Sequence, residues 1–351
     1  MMRDGMAKIA QLPSEHPEVK IGKVGVLLVN LGTPEAPTAK ALRPYLKQFL
    51  SDRRIIELTP LIWQPILNLI ILNTRPAKSA KAYAKIWREE SNESPLRYYT
   101  RQQGEALDAA MGGPELSVRW AMRYGQPSIR QELEAFKDEG YDRILVVPLY
   151  PQYSSTTTAS VTDEVFRVLM DMRWQPALRI APAFHDDPAY IQALADTVRT
   201  AQAGLDWEPD MILMSYHGIP KAYFDKGDPY HCHCHKTTRL VREALGLEAD
   251  KMMTSFQSRF GPTEWLKPYT DETLESLAEQ GKTKVMVLAP AFISDCIETL
   301  EEIAIEGREE FMEAGGTHFE MVPCLNDCPA AIALLEGLTR NELSGWVDPA
   351  S

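Results

Sequence analysis

The stretch Val24-Gly-Val-Leu-Leu-Val-Asn-Leu-Gly-Thr-Pro34 decides the fold class. Its apolar residues run on without alternation and stop at Gly32-Thr-Pro34. A strand of that kind is buried on both faces, as in a parallel sheet covered by helices on each side. Further candidate strands are Val118–Met122, Ile144–Leu149, Met211–Ser215 and Val285–Ala289, most of them continuously apolar in the same way. Amphipathic helical periods lie between them, for example Ser128–Glu139 and Thr270–Gln280. Strands alternating with helices in this way predict a doubly wound α/β fold.

Landmarks recur in order. The first half has Gly32-x-Pro34, then Arg123-Tyr-Gly125, a helix, and Gly140-Tyr-Asp-Arg-Ile-Leu-Val-Val-Pro148. The second has Gly218-x-Pro220, Arg259-Phe-Gly261, a helix, and Gly281-Lys-Thr-Lys-Val-Met-Val-Leu-Ala-Pro290. Such self-similarity predicts two similar Rossmann-like domains facing each other across a cleft. The expected divisions are an extension over 1–22, a first α/β domain over 23–200, a second over 201–330, and a C-terminal helix over 331–345. That helix is expected to pack back on the first domain. The apolar segment 45–95 is expected to be an insertion in the first domain.

Length and composition fit this plan: 351 residues, 44% hydrophobic, with a net charge of −12. An acidic balance argues against nucleic acid as partner, because phosphate binding needs clustered Lys and Arg. Five cysteines in such a chain do not form a disulfide scaffold, which fits a reducing cytoplasm. Residues 1–22 lack the apolar run of a signal peptide. The longest apolar run, Leu61–Leu72, is shorter than the ~20 residues of a membrane span and is broken by Pro65 and Asn68. The protein is therefore expected to be soluble.

In open α/β sheets ligands bind beyond the carboxyl ends of the strands. After Met211–Ser215 comes Tyr216-His217-Gly218; after Val285–Ala289 comes Ser294-Asp295-Cys-Ile-Glu298. A neutral imidazole at His217 can accept a proton or bind a divalent metal. Glu298, Glu302 and Glu306 form an i, i+4, i+8 row beside an apolar stripe of Ile297, Leu300, Ala304, Gly307 and Phe311. Like charges so stacked repel, so the row needs a reason. A path for protons or a cation is one. A capping box between Asp295 and Glu298, followed by a solvated face, is the other. His231-Cys-His-Cys-His235 places five potential metal ligands together, and Cys324 and Cys328 follow in a later loop. Cys232, Cys234, Cys324 and Cys328 are thus candidate ligands of an iron–sulfur cluster, although their spacing is not a standard one. No Gly-x-Gly-x-x-Gly, P-loop or Gly-x-Ser-x-Gly is present, so dinucleotide, nucleotide and hydrolase readings lack support.

Seven motifs follow one another along the chain: Leu27-Leu-Val-Asn-Leu-Gly-Thr-Pro34, Phe49-Leu-Ser-Asp-Arg53, Ser94-Pro-Leu96, Pro148-Leu-Tyr-Pro-Gln-Tyr-Ser154, Ser215-Tyr-His-Gly-Ile-Pro220, Phe256-Gln-Ser-Arg-Phe-Gly261 and Ser294-Asp-Cys-Ile-Glu-Thr-Leu300. In these the chain resembles the ferrochelatases, which insert ferrous iron into a porphyrin. The resemblance implies that His217 and Glu298 are the metal-binding and catalytic pair; by their place in the acidic row, Glu298 and Glu302 can attract the cation and relay protons outward. It implies that Arg53 and Tyr153 line the porphyrin pocket, and that 45–95 is an active-site lip. Residues 61–72 of that lip would hold tetrapyrrole or touch the inner membrane surface. It implies Fe2+ and protoporphyrin IX as substrates in the last step of haem biosynthesis. Two other readings stand beside it: a chelatase for coproporphyrin or sirohydrochlorin, or a non-catalytic haem- or metal-binding protein. Animal members bind a [2Fe–2S] cluster through an internal cysteine and a C-terminal extension. Here the internal position is Ser155 and the last residues, Trp346–Ser351, hold no cysteine. Some bacterial members hold a cluster through internal cysteines, which keeps Cys232 and Cys234 as candidates. Many members carry histidine where this chain has Cys296.

Overall fold

Four of the five apolar runs become the inner strands of two parallel sheets, and Val118–Met122 becomes an edge strand. The structure, a computed structural model, describes residues 22–347. The extension expected over 1–22 lies, but for Gly22, outside the described residues.

The first half runs β1 (Lys23–Gly32), α1 (Ala39–Leu50), α2 (Pro60–Ile66), a π-helical turn (Leu67–Ile71) and α3 (Leu72–Ile86). It continues with α4 (Pro95–Met111), β2 (Leu116–Tyr124), α5 (Ile129–Asp138), β3 (Tyr141–Pro148), α6 (Thr158–Met170), β4 (Ala177–Ile180) and α7 (Pro188–Ala203). The second half begins with β5 (Met211–His217), α8 (Lys221–Asp225), α9 (Tyr230–Leu245), β6 (Met252–Gln257) and α10 (Thr270–Glu279). There follow β7 (Lys284–Leu288), a π-helix (Glu298–Gly307), α11 (Arg308–Glu313), β8 (His318–Met321) and α12 (Pro329–Glu342).

Strand order is β2-β1-β3-β4 in one sheet and β6-β5-β7-β8 in the other, all pairs parallel. The two halves share one topology. They also share a local detail: Met122 N–H donates to Pro127 O (2.7 Å), and Phe256 N–H to Pro268 O (2.8 Å). In each case the chain after the second strand folds back beside it.

Alternate residues of the central strands enter different cores. Val24, Val26 and Leu28 of β1 join Ile212, Met214 and Tyr216 of β5 in one large core that also takes residues of α7 and α12. Leu27 and Val29 pack instead beneath α5 and α6, and Met211 and Leu213 beneath α10. Burial on both faces is what the unbroken apolar runs encode. The terminal helix α12 lies against α4 and α7.

The segment 45–95 is helical. Its inner side buries Leu46, Leu50, Trp63, Leu67, Leu72 and Tyr83 against Tyr124 of β2. The Trp63 indole N–H donates to Leu50 O at 2.6 Å. Its outer side exposes large apolar residues, with Leu61 86% and Leu69 73% accessible.

The turn after β1 fixes where the first sheet ends. Gly32 has φ +115°, a backbone region that side-chain-bearing residues rarely adopt. A Cβ there would fall 1.7 Å from Tyr124 O, its register partner in β2. Gly32→Ala is expected to cost about 3 kcal/mol or more in urea unfolding. Gly113→Ala, where a Cβ meets nothing within 4 Å, should stay within ~0.5 kcal/mol of wild type.

Candidate active site

His217 is the last residue of β5, half-buried, where a polar side chain emerges at the strand's carboxyl end. Its Nδ1 lies 2.7 Å from Gly218 O. A carbonyl only accepts, so Nδ1 carries a proton and Nε2 is the ring nitrogen left to take a proton or hold a metal. Trp265 and Phe292 flank the imidazole at 6.5 and 6.4 Å between centroids.

The next strand joins this histidine to the glutamates. Gln257, the last residue of β6, is the register partner of His217. Its Oε1 accepts from Ser215 Oγ at 2.7 Å, and its Nε2 donates to Glu298 O at 2.8 Å. Ser258 follows, and its hydroxyl donates to Glu302 Oε2 at 2.6 Å. Gln257 and Ser258 therefore tie the histidine strand to both glutamates. Neither carries a charge, so nothing in a search for ligands and acids or bases singles them out.

Glu298, Glu302 and Glu306 lie on a π-helix, not on the α-helix that the 3.6-residue stripe predicts. Its bonds run i→i+5, so a turn holds more residues than in an α-helix. Residues four apart then lie nearly in line. The buried face shows this: Thr299, Ile303, Gly307 and Phe311 are spaced by four, while Leu300 and Ala304 are only half-buried. The glutamate row runs alongside, from half-buried Glu298 and Glu302 to exposed Glu306. Burial pushes the Glu302 carboxyl up to about 7; the hydrogen bond from Ser258 opposes this and the charge of Glu298 adds to it. No capping box forms. Asp295 instead accepts from Thr299 Oγ1 (2.9 Å) and Asn326 Nδ2 (2.7 Å).

Glu298 looks into a narrow cavity lined also by Gly32, Thr33, Tyr45, Tyr83, Ser94 and Cys296, with room for little more than a water molecule. Burial, then the Tyr83 hydroxyl and the Glu298 charge, hold the Tyr45 phenol well above its ordinary range, and burial followed by the Glu298 charge raises Tyr83. Two protonated phenols therefore stand across from Glu298. The Cys296 thiol is likewise pushed up, first by burial and then by Glu298, and stays protonated.

The first half brings Arg53 to the lip by anchoring its neighbour. Asp52 accepts from Arg123 (2.5 Å), Ser160 Oγ (2.6 Å), Tyr124 OH (2.8 Å) and the Arg54 backbone N–H (2.8 Å). Burial raises the Asp52 carboxyl, but these donors and the Arg123 charge outweigh it and leave the group below the usual carboxylate range. Arg53 itself is exposed and, among the described residues, has no ion-pair partner. Tyr153 is half-buried, and its backbone N–H donates to His233 Nδ1 at 3.2 Å. Asp228 grips the same loop through Ser154 Oγ (3.1 Å) and Ser155 N–H (2.7 Å).

The lip is fastened to the second half at several points. Arg75 stacks over Phe260 at 4.0 Å, Tyr223 OH donates to Ile55 O at 3.1 Å, Lys226 pairs with Glu57, and Lys85 with Glu301 at 2.7 Å.

The four cysteines read as cluster ligands are not brought together. Cys232 and Cys234 sit two apart on α9, a spacing that turns side chains away from each other. Cys232 is exposed, whereas Cys234 is wholly buried in the shared core. Cys324 and Cys328 are half-buried in the loop before α12. Burial holds the thiols of Cys234 and Cys324 well above their ordinary range, which opposes the thiolate a cluster needs. Among the described residues no three His, Cys, Asp or Glu side chains are grouped to hold a metal ion. The residues present do not fit a [2Fe–2S] cluster.

A family model described as "Ferrochelatase" matches residues 23–343. The chain is 56% identical over 342 residues to the "Ferrochelatase" of Allorhizobium ampelinum, covering 97% of this chain and 99% of that one. It is 53% identical over 347 residues to that of Brucella ovis, covering 99% and 98%. Among solved structures it is similar in fold to SirB from Bacillus subtilis with Fe3+, at TM-score 0.56 and 12% identity over 91% of this chain and 95% of the other. It is likewise similar to the sirohydrochlorin chelatase SirB of subspecies spizizenii in complex with cobalt, at TM-score 0.54 and 10% identity over 92% and 95%.

Glu302 also predicts a pH signature. An acid raised on folding favours the native state while protonated. Its contribution is full below the unfolded value of 4.5 and is lost as pH rises through about 7. In urea unfolding between pH 5 and 8, Glu302→Gln should flatten the fall in stability by on the order of 2 kcal/mol. An unchanged pH slope would contradict the assignment.

Proposed function

The chain belongs to the ferrochelatase family, and from that premise we propose that it inserts Fe2+ into protoporphyrin IX to give protohaem, the last step of haem biosynthesis. The observation that carries this reading is the bridge from His217 through Gln257 and Ser258 to Glu298 and Glu302. A passive haem or metal carrier has no use for a histidine at a strand end held in register with an element that carries a row of acids.

Metal insertion must remove two pyrrole N–H protons as the ion enters the ring. His217 Nε2, with its lone pair free, takes a proton or holds Fe2+ before transfer. Glu298 faces the same strand end and supplies a carboxylate to the cation. Glu302, titrating near neutrality, can pass protons on within the working pH range. Exposed Glu306 returns them to water. The balance is one Fe2+ in and two protons out, with no change of oxidation state. Arg53, exposed and unpaired, pairs with a porphyrin carboxylate, and Tyr153 lines the ring's pocket. A site shaped to hold the ring bent would expose its nitrogen lone pairs and lower the barrier.

The experiment is anaerobic mixing of Fe2+ and protoporphyrin IX with the purified protein, followed by the Soret shift. Wild type should turn over, and His217→Ala should lose roughly 10²- to 10⁴-fold in kcat while still binding porphyrin. Turnover of coproporphyrin alone would favour the other-tetrapyrrole reading. No turnover of any porphyrin, or an unaffected His217→Ala, would overturn the mechanism.

The lip's outer face meets the inner membrane surface from the cytoplasmic side. Leu58, Leu61, Ile62, Leu69 and Ile70 stand exposed together. Residues 45–95 carry eight Lys and Arg against five Asp and Glu, in a chain of net charge −12. Exposed apolar side chains on a locally basic segment suit an anionic lipid surface. Among the described residues no helix is long and apolar enough to cross a membrane. Sedimentation with phosphatidylglycerol vesicles should retain the wild type and release Leu61→Ser/Ile62→Ser/Leu69→Ser. Equal retention of both proteins would contradict the contact.

A further inference from the structure

The segment His231-Cys-His-Cys-His235 is left unused by iron insertion. It forms the first turns of α9, which sends its side chains in different directions. Cys234 points into the core. His233 stacks on His185 with centroids 3.6 Å apart and planes within 4°. Lone pairs of azole nitrogens lie in the ring plane, so stacked rings cannot converge on one ion. His233 Nδ1 is in any case occupied by the Tyr153 backbone N–H.

His231 and His235 differ. Four residues apart, they are neighbours on one helix face. Their centroids are 4.4 Å apart and their planes inclined at 51°, so in-plane lone pairs can meet at a point outside the helix. His231 is half-buried against Phe256 and Phe224, at 5.9 and 5.1 Å, and His235 is exposed. Neither ring has a hydrogen-bond or ion-pair partner among the described residues, although many exposed polar groups nearby do, such as Lys236 with Asp186.

We propose that His231 and His235 form a bidentate site for a divalent transition-metal ion, separate from His217 and Glu298. Paired imidazoles four residues apart on a helix suit borderline ions such as Fe2+, Co2+, Ni2+ and Zn2+, with water completing the coordination. Burial lowers the basicity of both rings, and His231 lowers that of His235 further, so both offer lone pairs at neutral pH. The location gives the site its use. Phe256, beneath His231, is the register partner of Tyr216, the residue before His217. An ion held there waits at the same carboxyl edge of the second sheet as the reaction centre.

The test uses Co2+ alone as probe, on the full chain, by calorimetric titration and visible absorption. His217→Ala should retain one Co2+ site. His217→Ala/His235→Ala should bind that ion roughly tenfold or more weakly, and His217→Ala/His233→Ala should bind it as His217→Ala does. His235 is exposed, so its loss should leave the far-ultraviolet circular dichroism unchanged. Absence of Co2+ binding in His217→Ala, or equal affinity with and without His235, would overturn the proposal.

Discussion

Two uncharged residues at the end of β6 hold the candidate site in register. Parallel pairing sets Gln257 beside His217, and the Gln257 amide then fixes the first residue of the π-helix through its carbonyl. Ser258 fixes the second glutamate of the row. A histidine on one element and carboxylates on another would drift relative to each other without such a tie. A positional error of about 1 Å in a reacting group can cost on the order of 10²-fold in rate. The sheet supplies rigidity, and the side chains of Gln257 and Ser258 carry it across to the acids.

The π-helix is the second half of that arrangement. The glutamate row and the buried line Thr299, Ile303, Gly307 and Phe311 share one four-residue spacing, and the wider i→i+5 turn suits that spacing. The row leads from the small cavity beside Tyr45 and Tyr83 outward to solvent. The first half contributes differently. It presents Arg53 from a loop pinned by the buried Asp52 network, and it carries an apolar, cationic lip fastened to the second half by Arg75, Tyr223, Lys85 and Lys226.

The central strands were legible because burial on both faces leaves an unbroken apolar run, and the duplicated topology followed from the repeated landmarks. Strands β4, β6 and β8 were not. They are short and mix polar with apolar residues, as in Met252-Met-Thr-Ser-Phe-Gln257. His217 and Glu298 could be read from strand-end logic, since the parallel sheet places such side chains at its carboxyl edge. The π-helix is not legible from a 3.6-residue stripe; its signal is the four-residue spacing of both the glutamates and Thr299, Ile303, Gly307 and Phe311. Gln257 and Ser258 lie within the motif Phe256–Gly261, but their neutral side chains give no electrostatic signal of a role at the site. The cysteine set failed because ligand count says nothing of direction, and a helix turns Cys232 outward and Cys234 inward.

The tie at the end of β6 is tested most directly by steady-state Fe2+ insertion in Gln257→Leu, which keeps the backbone pairing and the approximate shape but loses the amide. The account predicts a kcat lower by on the order of 10²-fold with the porphyrin KM within about twofold of wild type. A Gln257→Leu protein with wild-type kcat would contradict it.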